Sequence, residues 1–62
     1  MVSTATIAQY LQGIDFPASK QDCLQLARQR NAPHDVLDTL NRLPDRQYYS
    51  MAGIFDAVGE VE

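Results

Sequence analysis

Residues 19–43, SKQDCLQLARQRNAPHDVLDTLNRL, decide the fold. Ser19 is a strong helix cap, and Asp22 three residues later makes an Asp variant of the capping box. Leu24, Ala27 and Cys23 then form an inner face with Leu26 on its flank. Arg28 and Arg30 close the stretch, where cations suit the partial negative charge of a helix C-terminus. The pattern predicts a helix over 20–30. Asn31-Ala32-Pro33 breaks it, because Asn tolerates the left-handed conformation and Pro33 suits a first helical position. Asp35 falls in the next first turn, and Val36, Leu37, Leu40 and Leu43 keep a helical period until Pro44. A second helix over 33–42 follows.

Toward the N-terminus, Ile7, Tyr10, Leu11 and Ile14 recur at i, i+3, i+4 and i+7, one face of a helix. Ser3 or Thr4 caps its start and Gly13 stops it, giving a helix over 4–12 with Ile14 still facing the core. Asp15-Phe16-Pro17-Ala18 is a connector, with Phe16 expected inside as a cover over the core. Toward the C-terminus, Pro44-Asp45-Arg46-Gln47 is a turn, and Tyr48-Tyr49 leads to a third capping serine, Ser50. Met51, Ile54, Phe55 and Val58 repeat the helical spacing. Gly59 is expected to end this last helix and leave Glu60-Val61-Glu62 frayed. Gly53, inside it, suggests close packing against another backbone. The expected architecture is all-α: four short helices in one compact domain over 1–62, with no strand signal and no internal repeat. The spacing of helices two and three also allows a helix-turn-helix-like pairing.

Composition bounds the function. A chain of 62 residues makes one domain, which buries only about 60% of the surface its unfolded form exposes. A deep catalytic pocket is hard to enclose at that size. Apolar residues at 45% and charged residues at 21% are globular values, far from those of a disordered tail. The net charge of −3 argues against general nucleic-acid binding, which rests on neutralising phosphates. All five basic residues nevertheless lie between positions 20 and 46, among four aspartates. No apolar run is long enough to span a bilayer, no helix has a lysine-rich polar face, and the start of the chain lacks a secretory pattern. The single Cys23 makes no internal disulfide and suits a reducing compartment, so a cytoplasmic location is expected.

The string Tyr10-Leu11-Gln12-Gly13-Ile14-Asp15-Phe16-Pro17-Ala18-Ser19-Lys20-Gln21-Asp22 resembles the opening of a family of short bacterial domains of unknown function, number 2795. Ala27, Asn31-Ala32-Pro33, Leu40-Asn41-Arg42-Leu43-Pro44-Asp45 and Tyr49-Ser50 continue the likeness, which covers about 8–58. Cys23 stands where an apolar residue is expected, and Asn31 where Gly is frequent. The resemblance implies a small bacterial helical domain. It brings no activity, cofactor or catalytic residue.

The residues themselves offer little chemistry. Cys23 and His34 make a nucleophile and base only if the fold joins them, and a cysteine on an inner face usually behaves as a small hydrophobe. His34 reads more simply as a solvated residue near a helix start. One Cys and one His are too few for a zinc site, and Asp35 with Asp38 reads as a solvated pair. Gly13, Gly53 and Gly59 are scattered and make no phosphate loop. No catalytic residue, metal or cofactor is therefore assigned. The leading expectation is a non-catalytic module that binds another protein, as a monomer or weak homodimer, through a helix face or the 44–50 turn. Arg46, Tyr48, Tyr49 and Met51 are its candidate contacts, since interfaces favour these residue types. Adjacent tyrosines cannot both face the core, so one of Tyr48 and Tyr49 should be exposed. The rival is a helix-turn-helix-like nucleic-acid binder. There Lys20, Arg28, Arg30 and Arg42 would meet phosphates, and His34, Asp35, Asp38, Thr39, Asn41 and Arg42 would face outward.

Overall fold

Helix formation in this chain is decided at its starts. A computed structural model describes residues 2–62 and has four helices: α1 (Thr4–Leu11), α2 (Lys20–Gln29), α3 (His34–Asn41) and α4 (Met51–Val61). Three begin at a serine whose hydroxyl accepts a backbone N–H two or three residues into the helix. Ser3 takes that of Thr6, Ser19 that of Asp22 and Ser50 that of Gly53. At Ser19 the box is complete, because Asp22 Oδ2 accepts the Ser19 N–H in return at 3.0 Å. α3 starts differently. Pro33 stands just before its first turn, one position earlier than expected, and makes no side-chain cap.

The stops are also local. Gly13 (φ 84°) turns the chain after α1 in a conformation that suits glycine. Asn31 (φ 59°) does the same after α2, and its neighbours complete a Schellman closure. Ala32 N–H donates to Ala27 O, and Asn31 N–H donates to Arg28 O, both at 3.0 Å. α4 is longer than expected. Gly59 sits within it with open space around its Cα, and Val61 beyond still packs on the core. The chain's far ends meet, since the Val2 N–H donates to Glu62 Oε2 at 3.2 Å. The last three residues are therefore helix end and contact, not a frayed tail. Gly53 has no foreign backbone near it; a Cβ there would meet only the Ser50 hydroxyl, at 3.8 Å.

The expected all-α architecture holds, with one addition. Two-residue strands β1 (Ala18–Ser19) and β2 (Gln47–Tyr48) pair antiparallel, joining the α1–α2 connector to the α3–α4 connector. The register sets Ala18 opposite Tyr48 and Ser19 opposite Gln47. The main helix contacts run α1 to α2, α2 to α3, α3 to α4 and α4 back to α1, closing a ring. Inside it lie Ile7 and Leu11 of α1, Cys23, Leu24 and Ala27 of α2, and matching residues of α3 and α4.

Two inner faces are rotated from the expected ones. On α3 the buried stripe is Val36, Thr39, Leu40 and Leu43, with Leu37 only half-buried. Thr39 is polar yet inside because its hydroxyl donates to Asp35 O one turn back, at 3.0 Å. On α4 the stripe is Ile54, Ala57 and Val58, extended by Val61, and Phe55 lies half out. Among the described residues, no helix is long and apolar enough to cross a membrane.

Candidate interaction surface

The β1–β2 ladder determines which connector side chains meet solvent. Paired residues of an antiparallel ladder point to one side, and the next step points to the other. Ala18 and Tyr48 are paired and both are buried. One step further, the register brings Pro17 opposite Tyr49, and both are exposed. Tyr48 is 3% exposed, Tyr49 75%. The ambiguity of the adjacent tyrosines is thus resolved by strand alternation.

Tyr48 leaves the proposed contact set. Its ring fills the core, and its hydroxyl donates to Pro44 O at 2.6 Å, satisfying the one polar atom it carries inside. Arg46 stacks above that ring, 5.5 Å from the centroid, and reaches Glu60 Oε2 at 3.4 Å. Its guanidinium is half-exposed and engaged within the molecule. Met51 is half-buried and packs against the core. Of the four candidates only Tyr49 is fully presented.

The structure adds a residue that the sequence reading placed inside. Phe16 is 37% exposed, and it precedes Pro17 through a cis peptide bond. The buried residue of that connector is Ala18. Among the described residues, Phe16 and Tyr49 are the large hydrophobic side chains left exposed, and the ladder holds their two connectors together. The joining of those connectors was not visible in the sequence, because the pairing links segments thirty positions apart.

Next to Pro17 an open groove of about 370 Å³ runs between the connector and α2. Gly13, Ile14, Asp15 and Pro17 form one wall, and Asp22, Leu26 and Arg30 the other. Arg30 is held there by a hydrogen bond from Nη1 to Tyr10 O at 3.2 Å.

The other candidate groups are dispersed. Cys23 is fully buried, and that burial, helped by the charge of Asp22, pushes its thiol up to about 11. His34 has a side chain 90% exposed at the start of α3, 3.5 Å from Asp38. The fold does not join the two. Lys20 opens α2, whereas Arg28 and Arg30 lie at its far end and Arg42 caps α3. Thr39, expected on an outward recognition face, points inside instead. The α3 surface keeps Asp35, Asp38, Asn41 and Arg42 exposed, with two carboxylates for one guanidinium.

Residues 2–55 match the family described as "Protein of unknown function (DUF2795)". No curated protein and no solved structure matches the chain.

Proposed function

The chain belongs to the DUF2795 family, and from that premise we propose that it is a non-catalytic module that binds another protein through its connector face. One observation carries this reading. Among the described residues, the two large apolar side chains left in solvent, Tyr49 and Phe16, come from different connectors that one ladder brings together. Exposed tyrosine with apolar neighbours is the composition that interface centres favour, because a rigid ring gives much contact area for little lost freedom. The scaffold beneath is firm, since the residues just inside the ladder are in the core. The setting we assign is the cytoplasm, where the lone Cys23 stays reduced.

The test is capture of the tagged protein's partners from native lysate, with and without nuclease, beside a Tyr49→Ala, Phe16→Ser variant. A stoichiometric protein that survives nuclease and weakens by about tenfold or more with the variant supports the module. Bound material lost wholly to nuclease, or a partner indifferent to both substitutions, overturns it.

A further inference from the structure

Asp22, Leu26 and Arg30 are spaced i, i+4 and i+8, so they form one stripe along α2 and one wall of the groove. At about 1.5 Å per residue the stripe is roughly 12 Å long. Its ends differ in sign. Arg30 stands at one end, tethered to Tyr10 O by one of its five N–H donors, with Nη2 over Gly13. A Cβ at position 13 would meet that nitrogen in ordinary contact at 3.8 Å, so glycine is required there by its left-handed backbone and not by the guanidinium. Asp22 stands at the other end, fixed by its capping hydrogen bond to Ser19. Asp15 on the facing wall adds a second carboxylate. Between them lie Ile14, Pro17 and Leu26, an apolar middle whose Ile14 and Leu26 pack below onto the core.

We propose that this groove takes a short extended segment of a partner protein, with a basic residue at the Asp22 end, an apolar side chain on Leu26 and a carboxylate at Arg30. The assignment rests on the reading of the domain as a protein-binding module and names the chemistry it selects. An extended chain advances about 3.3–3.6 Å per residue, so three to four residues cover the stripe. The groove is open, which suits a chain passing along it better than a small molecule, whose sites enclose most of the ligand. Both charged ends are tied down by hydrogen bonds before anything arrives, which lowers the cost of ordering them. The guanidinium is suited to a carboxylate, and the paired acids to a cation whose aliphatic stem lies on Pro17.

The probe is the peptide acetyl-Lys-Leu-Ala-Glu-amide, titrated at up to millimolar concentration into the ¹⁵N-labelled full chain. Saturable shifts are expected at the amides of Gly13, Leu26 and Arg30. Arg30→Gln and, separately, Asp15→Asn should each weaken binding by about threefold or more, and added salt should weaken it further. A control peptide with Gln in place of Lys and Glu should not bind. Absence of saturable shifts, equal binding of the control peptide, or affinity unchanged in both variants overturns the proposal. A groove that fails while capture through Tyr49 persists fails alone; loss of the capture itself is the failure of the module.

Discussion

The two connectors, residues 12–19 and 42–50, finish alike and are secured differently. Each carries a two-residue strand and ends in a serine that caps a helix, Ser19 within its strand and Ser50 two residues past its own. At the paired position the first puts the methyl of Ala18 inside, and the second the ring of Tyr48. The first is held by backbone devices: the left-handed Gly13, the ladder and a complete capping box. The second is held by one large buried side chain with a hydroxyl bond below and a cation above. Residue size at one register position thus separates a connector stabilised by local geometry from one stabilised by burial.

The largest break in that comparison should come from Tyr48→Ala, which empties a ring-sized site and frees the Pro44 carbonyl. A loss of about 3–5 kcal/mol in chemical denaturation is expected, enough to unfold much of so small a domain. Ala18→Leu works the opposite way, forcing volume into the place beside that ring. It should cost about 1–3 kcal/mol, with the shift falling in thermal melts at constant cooperativity. A smaller contrast tests the caps. Ser19→Ala and Ser50→Ala each remove one hydroxyl that accepts a helix N–H, so each should cost about 1 kcal/mol in thermal melts. In the Ser19 variant the Asp22 carboxylate still accepts the residue-19 N–H, so a smaller loss there than at Ser50 would show that this returned bond holds the helix start by itself. The smallest effect belongs to Tyr49→Ala, expected within about 0.5 kcal/mol of the parent. A large loss of stability there would show that the ring supports the fold and is not free for a partner.

What could be read beforehand was local. Ser3, Ser19, Ser50 and Asn31 act within one helical turn of themselves, so the sequence around each one specifies its role. The helix faces were read more coarsely. The nucleic-acid reading needs Thr39 outward, although Val36, Thr39, Leu40 and Leu43 keep the same period as an apolar stripe and the hydroxyl is satisfied by its own helix. Gly59 reads as a stop, yet packing of Val61 and the contact of Glu62 with Val2 carry α4 past it. The connector face depends on Ala18 meeting Tyr48, and no local signal reports a pairing of two residues per strand. The same pairing decides which tyrosine is outside. The groove had a trace in the spacing of Asp22, Leu26 and Arg30, but its second wall exists only once α1 has turned back at Gly13.

The burial of Cys23 gives this domain an internal clock. The thiol is protonated in the fold up to about pH 11, above its ordinary 9.0. The protonated form is favoured by folding, so its contribution to stability is complete below pH 9 and fades as pH rises toward 11. Near neutral pH a thiol reagent can reach the sulfur only when α2 parts from the ring of helices. The labelling rate of the untouched protein should therefore follow the population of its opened form. A partner that binds the closed form alone should slow the labelling wherever on the surface it sits.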